Sequence, residues 1–316
     1  MSEVPASLAL IGFGEVGQIF ARQFLAGGVG AVSAYDPAFA DPASRQSLAA
    51  REIGVAVWHS APEAVAEQPL VISAVTAAAA LAAARAALGG LKRGAFFMDV
   101  NSVSPGVKRQ IWELTKTACG RFVEASVMST IGPRGIRSPI LTGGRYTAEF
   151  AAFMAPLGMD LTPAGEEIGR AASIKMCRSI VIKGMEALSL EMLLTARAYG
   201  VEDEVLASLA DTVDTDWRAL MTHMSRRALI HGRRRAEEMR EAARTVTEAG
   251  LAPLQSAAAA QRQDWAADLG AALGRETAER APLAELLDKS RALALVRQGL
   301  THRPGGGNML PSTATC

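Results

Sequence analysis

"LALIGFGEVGQIFARQFLAGG" occupies residues 8 to 28 and decides the fold. Its first four residues form an apolar run of strand type, the stretch after Gly17 reads as a helix, and Gly12, Gly14 and Gly17 stand between them in G-x-G-x-x-G spacing. Each glycine has its own reason. Gly12 permits the tight turn, Gly14 lets a pyrophosphate approach the backbone, and Gly17 lets the helix pack on the strand. The anion would rest on the helix N-terminus. A second apolar run, AVSAY at 31 to 35, ends at Asp36, which lies 19 residues past Gly17. A carboxylate there accepts hydrogen bonds from ribose hydroxyls and repels a 2′-phosphate, which favours NAD. Arg45 keeps NADP open, because it could meet such a phosphate.

The alternation continues outward from that unit. SLALIG (7 to 12), AVSAY (31 to 35), LVISAV (70 to 75), AFFMDV (95 to 100) and FVEASV (122 to 127) are short apolar runs separated by helical stretches. That is the pattern of a parallel sheet covered by helices on both faces. The Ala-rich stretch at 74 to 90 needs nothing beyond helix propensity. From about residue 166 no strand pattern follows. Ala236, Met239, Ala243 and Val246 recur at three- and four-residue steps before the Gly-Pro stop in EAGLAP, which reads as an amphipathic helix. The expected organisation is α/β: a Rossmann-like doubly wound parallel sheet at 1–165, an all-α domain for substrate and dimerisation at 166–300, and a disordered Gly/Pro-rich tail at 301–316.

The totals exclude several classes. With 316 residues, 49% hydrophobic and 21% charged, the chain is globular in composition and long enough for two cores. A formal charge of +1 gives no global attraction to nucleic acid or to an acidic membrane. Cys119, Cys177 and Cys316 are scattered and lack CxxC spacing, which argues against disulfides and against a zinc site. No basic segment precedes the first apolar run, and no stretch approaches the roughly 18 apolar residues of a spanning helix. The expectation is a soluble cytoplasmic protein.

AASIKMCRSIVIKGMEAL, 171 to 188, sets Lys175 and Lys183 into an otherwise apolar helical run. A buried ammonium is costly unless it is paired or functional. Ser179 lies one turn beyond Lys175, and Lys183 and Glu186 fall within about a quadrant of the same face. For Lys183 and Glu186 a structural ion pair is an equal reading. Arg178 points differently and reads as a surface or pairing residue unless the substrate is an acid with a second carboxylate.

These motifs, in this order, resemble the β-hydroxyacid dehydrogenase superfamily over roughly residues 7 to 300. That superfamily includes 3-hydroxyisobutyrate and 6-phosphogluconate dehydrogenases, and the chain looks closest to a branch whose helical C-terminal domain was long of unknown function. DVNSVSP (99 to 105) resembles the family's D-x-S-T-x-x-P segment beside the nicotinamide. FVEASVMSTIGPRGIRSPILTGG (122 to 144) stands in the place of the substrate-binding D-A-P-V-S-G-G segment, with Ser126, Met128, Ser129 and Thr130 where Pro, Ser, Gly and Gly are usual. GRAASIK (169 to 175) resembles G-x-G-x-x-x-K, which implies that Lys175 is catalytic, and Ser179 stands where the family has Asn.

The resemblance implies a cofactor set of Gly12, Phe13, Gly14, Glu15, Val16, Gly17, Asp36, Thr76 and Asn101, holding NAD or NADP. It implies a substrate set of Ser102, Ser129, Thr130, Ser179 and Lys183, no metal, a small acidic substrate and a homodimer. Hydride transfer from an alcohol needs a base for the hydroxyl proton, and a lysine serves once desolvation brings its pKa toward neutrality. Two other readings stay open. One is an imine reductase-like enzyme, although that branch commonly replaces the lysine. The other is a non-catalytic, dinucleotide-responsive binding protein.

HMSRRALIHGRRRAEEMR, 223 to 240, concentrates arginines, but Glu237 and Glu238 interrupt it and no aromatics interleave. It reads as an ion-paired helix face rather than a nucleic-acid surface. A second reading lets His231 or one of Arg233 to Arg235 bind an acidic substrate.

Overall fold

The computed structural model describes residues 4–210 and 214–297. Cys316 and the tail expected to be disordered at 301–316 lie outside the described residues. The chain divides into two compact units, Met1–Ile182 with Glu237–Ala257, and Lys183–Ala236 with Ala258–Cys316.

The first unit holds β1 (Ser7–Ile11), α1 (Glu15–Ala26), β2 (Ala31–Tyr35), α2 (Arg45–Ile53), β3 (Ala56–Val57), α3 (Ala61–Val65), β4 (Leu70–Ser73), α4 (Ala80–Leu88), β5 (Phe96–Asp99), α5 (Pro105–Thr117), β6 (Arg121–Val127), β7 (Ile140–Gly143), α6 (Thr147–Met154) and β8 (Leu161–Gly165). The strands form one sheet in the order β3-β2-β1-β4-β5-β6-β7-β8. Side-chain alternation fills both faces. Leu8, Leu10, Leu70, Ile72, Phe96, Met98, Val123 and Ala125 enter one core with Phe20 and Phe24 of α1. Ala9, Ile11, Val71, Phe97 and Phe122 enter the other with Ala84 of α4 and Ile111 of α5. A sheet buried on both faces explains the near-continuous apolar runs of its central strands.

The sheet departs from the all-parallel expectation at one place: β7 runs antiparallel to β6. The β6–β7 connection carries a 3₁₀ turn at Gly135–Arg137 and no α-helix, and a parallel return needs a crossover, usually helical. Three strands went unread. β3 is two exposed residues, β7 is a four-residue run ending in Gly143, and β8 contains Pro163. Proline is tolerated because β8 is an edge strand.

One buried ammonium ties the ends of β5 and β6 together. Lys108 of α5 donates to Asp99 Oδ2 (3.2 Å), to the Asp99 carbonyl (2.7 Å) and to the Ala125 carbonyl (3.2 Å). Lys108 and Asp99 are both fully buried. Three protons meet three acceptors, which is what a dry ammonium requires.

After Gly165 the described residues contain only helices: α7 (Arg170–Tyr199), α8 (Glu202–Ala210), α9 (Trp217–Glu248), α10 (Leu254–Leu273), α11 (Arg275–Arg280) and α12 (Leu283–Arg297). Ala236 and Met239 on α9 are fully buried, as the amphipathic pattern anticipated. In the second unit α9 and α10 meet backbone to backbone. A Cβ on Gly232 would lie 2.4 Å from the Gln263 carbonyl oxygen, and one on Gly270 would lie 2.1 Å from that of Leu229. Leu190, Leu229, Leu269 and Leu286 fill the core around that crossing. Among the described residues no helix is long and apolar enough to cross a membrane.

Candidate functional site

Strands β1, β2, β4, β5 and β6 are mutually parallel, so the segments that follow them emerge along one edge of the sheet. That edge carries Gly12–Gly17, Asp36, Thr76, Asn101–Ser102 and Ser129–Thr130. The chain order reverses between β1 and β4, and ligands of open α/β sheets bind outside strand C-termini at such a reversal.

The three glycines answer to different constraints. Gly12 has φ +94°, and a Cβ there would lie 2.4 Å from the Ala74 carbonyl oxygen. At Gly17 a Cβ would lie 2.4 Å from the Gly12 carbonyl oxygen. Both are fixed by the fold. At Gly14 a Cβ would meet nothing within 4 Å, and its φ of −72° is open to any residue. The protein gives no internal reason for glycine there, whereas a phosphate resting on the start of α1 would. Phe13 is buried and its N–H donates to Asp36 Oδ2 at 2.7 Å, while Oδ1 accepts from the Ala38 N–H at 2.9 Å. Asp36 is thus fixed against the glycine turn with acceptor capacity remaining. Glu15 and Val16 open α1. Thr76 is exposed just past β4.

Asn101 is 3% exposed, and its side chain is already engaged. Its Oδ1 accepts from the Val75 N–H (2.7 Å) and its Nδ2 donates to Ser73 Oγ (2.9 Å), joining the β4 and β5 ends. Ser104 caps α5 ahead of Pro105. Its N–H donates to Glu241 Oε2 (2.7 Å) and its hydroxyl to Glu248 Oε1 (2.8 Å), both on α9. The loop is pinned on both sides of Ser102. Ser102 Oγ accepts a hydrogen bond from Lys175 Nζ at 2.7 Å.

Lys175 is half-buried on α7, and Ser179, one turn on, is 4% exposed. Arg178 Nη1 donates to the Met128 carbonyl at 2.9 Å. Ser129 and Thr130 follow Met128 and are exposed. Beneath them sits Glu124, fully buried on β6, which sequence reasoning passed over. Its Oε2 accepts from the Gly169 N–H and its Oε1 from the Ala172 N–H, each at 2.6 Å. Burial raises the Glu124 carboxyl above its usual range, against the opposing pull of Lys108 and of the two N–H donors. The available signal was a charge inside an apolar strand run, and for Lys108 a charge on the buried stripe of α5 shared with Val107, Ile111 and Thr115.

Lys183 and Glu186 belong to the second unit. Glu186 is fully buried, its Oε1 lying 2.7 Å from Arg227 Nε and its Oε2 3.2 Å from Arg235 Nε. Lys183 is 5% exposed, and its carbonyl accepts from Gln263 Nε2 at 3.1 Å. Two arginines of the basic stretch therefore hold a buried carboxylate rather than a solvated face. Arg233 instead pairs on the surface with Asp264 and Asp268. Burial, with Arg234 and Arg227 adding to it, lowers the His231 imidazole pKa.

Residues 7–145 match the NAD binding domain of 6-phosphogluconate dehydrogenase, and residues 196–266 match a domain of unknown function, DUF1932. A conserved hypothetical protein from Sinorhizobium meliloti 1021 is 36% identical, the match covering 91% of this chain and 98% of that one at a TM-score of 0.69. The conserved protein MTH1747, of unknown function and described as structurally similar to 3-hydroxyacid dehydrogenases, is 32% identical, with 83% and 97% covered at 0.65. The 3-hydroxyisobutyrate dehydrogenase of Mycobacterium tuberculosis, solved with L-serine, shares the fold at 0.64 with 19% identity, covering 92% of this chain and 100% of that one.

Two tests follow from this geometry. Gly14→Ala is expected to leave thermal stability unchanged and weaken NADH binding by about tenfold or more, whereas Gly17→Ala costs about 1–3 kcal/mol of stability; thermal melts with NADH fluorescence titration separate the two. The second concerns pH. A carboxyl raised on folding binds more protons in the native state, so its contribution is present below the unfolded value near 4.5 and is lost as pH rises through the folded one. Urea denaturation across that window should show wild type losing stability relative to Glu124→Gln as pH increases.

Proposed function

We propose that this chain, which belongs to the β-hydroxyacid dehydrogenase superfamily, is an NAD(P)-dependent oxidoreductase acting on a small β-hydroxy acid or the related oxo compound, with Lys175 as general acid and base. The observation that carries the reading is the 2.7 Å contact between Lys175 Nζ and Ser102 Oγ. It joins the helix lysine to the loop after β5, at the same sheet edge as the glycine turn. Gly12–Gly17 and Asp36 would hold the pyrophosphate and ribose, and Asn101 would set the loop that faces the nicotinamide. NAD, when bound, supplies a hydride acceptor at that edge.

In the oxidative direction the carbinol carbon gives up its hydride while its hydroxyl proton passes to the neutral Lys175 amine. In the reductive direction the Lys175 ammonium returns a proton to the carbonyl oxygen. Ser102, Ser129, Thr130 and Ser179 are hydroxyls that can orient a carboxylate without filling the pocket. Cys119 and Cys177 are free and exposed, which suits a reducing cytoplasm.

The same reading includes a homodimer. Ile174, Val181 and Leu188 are exposed at 42%, 59% and 63%. They stand seven residues apart on α7, the repeat of a helix-pairing seam that a second copy would cover.

Lys175→Ala should bind NADH within about twofold of wild type while turnover falls about 10²–10⁴-fold. Steady-state rates on a panel of hydroxy acids, with NAD and NADP in parallel, check this, and wild-type turnover by the variant rejects the mechanism. Val181→Glu with Leu188→Glu should convert a dimer to a monomer in sedimentation velocity. A wild-type monomer at every concentration rejects the seam.

A further inference from the structure

The sequence segments that supply Ser102, Met128–Thr130 and Lys175 contain basic residues and no acidic ones, while Glu241 and Glu248 of α9 reach in to bind Ser104. Residues 101–104, 128–138 and 169–182 include Arg134, Arg137, Arg170, Lys175 and Arg178, and not one Asp or Glu. The carboxylates beneath, Asp99 and Glu124, are fully buried. Both are committed, Asp99 to Lys108 and Glu124 to the Gly169 and Ala172 N–H groups.

Arg178 has its place fixed by a hydrogen bond, as Lys175 does. Three residues beyond Lys175, it is a neighbour on the helix surface, with about 5–6 Å between the Cβ atoms. Its bond to the Met128 carbonyl sets the guanidinium at the mouth of the segment that holds Ser129 and Thr130. Among the described residues that carbonyl takes one of its five N–H donors. The planar fork that remains matches a carboxylate or a phosphate in a way that a lone ammonium does not.

We infer that Arg178 is a specificity-determining residue, selecting a substrate with a second anionic group, carboxylate or phosphate, besides the carboxylate of the β-hydroxy acid. The inference rests on the dehydrogenase reading and narrows its substrate class to dianionic hydroxy acids. Ser129 and Thr130, in place of small glycines, add hydroxyl donors for the same group.

The test compares kcat/KM for 3-hydroxybutyrate, malate and 4-phosphoerythronate. Malate carries a carboxylate where 3-hydroxybutyrate has a methyl, and 4-phosphoerythronate carries a phosphate. The wild-type ratio of the better dianion to 3-hydroxybutyrate should be about tenfold or more, since charge-assisted hydrogen bonds are the strong ones. Arg178→Gln keeps a donor for Met128 and removes the charge, so the ratio should collapse toward one, and Arg178→Lys should restore part of it. Preference for malate identifies the second group as carboxylate, and preference for 4-phosphoerythronate identifies it as phosphate. Equal rates for all three, or a ratio that Arg178→Gln leaves intact, overturns the inference while turnover of 3-hydroxybutyrate keeps the dehydrogenase reading. No turnover of any of the three with either nucleotide sinks both.

Discussion

The candidate site depends on how α7 begins, and that is set by the Glu124 carboxylate. Its two oxygens take the Gly169 and Ala172 N–H groups, donors that a helix start otherwise leaves unsatisfied. Lys175 follows three residues after Ala172, so the cap fixes both the height and the rotation of the lysine above β6. Hydrogen bonds to a charged acceptor contribute about 1.5–3 kcal/mol each, whereas drying a carboxylate costs several kcal/mol. The upward displacement of the Glu124 pKa says that burial outweighs its partners. The arrangement therefore gives up stability at this point and gains a fixed geometry for the helix that carries the amine. Lys108 makes that tolerable, as a buried cation that anchors the β5 end and lowers the cost of ionising the carboxylate on β6.

The cofactor side is built on another principle. Little there depends on side-chain chemistry, because the turn is defined by where a Cβ is impossible, at Gly12 and Gly17, and at Gly14 a Cβ would meet only open space, which the proposed pyrophosphate would fill. Asp36 joins the two halves of that edge. By accepting from the Phe13 N–H it rigidifies the glycine turn, and on the proposed reading the same carboxylate would receive a ribose. A substitution at Asp36 would thus loosen the pyrophosphate turn as well as the ribose contact. If Asp36 binds the ribose as proposed, stability and nucleotide preference would be linked at this residue, and a change in one would be poor grounds for assigning the other.

What could be read from residues alone follows from what is local. The strand-glycine-helix unit, the central strands and the helical half declare themselves by period and by turn chemistry, because each depends on neighbours within a few positions. The edge strands do not. β3 and β8 are exposed or carry proline and exist because a neighbouring strand offers them hydrogen bonds. The same limit applies to charges. Lys175 stood out as a cation on an apolar helix, yet Lys108 and Glu124 met the same test and went unread, because the partner that gives each its meaning lies on another element. Helical periodicity likewise set Lys183 and Glu186 beside Lys175. The Glu186 carboxylate is met by Arg227 and Arg235, residues 40 or more positions away in the chain, with which no spacing rule connects it.

That Lys175 donates to a hydroxyl bears on the proposed chemistry as much as the distance does. A carboxylate at the position of Ser102 Oγ would favour the ammonium and so disfavour uptake of a proton from substrate. A hydroxyl makes no such demand. Ser102 Oγ accepts from the ammonium as it stands, and when the amine is neutral the same hydroxyl can turn and donate its own proton to the nitrogen lone pair. The contact survives in both protonation states with a rotation about one bond, and the nitrogen stays in place while its charge changes. Under the proposed mechanism the pinning of the loop by Asn101 and Ser104 would serve a purpose, because a hydroxyl that serves both states would have to keep its position through the proton transfer.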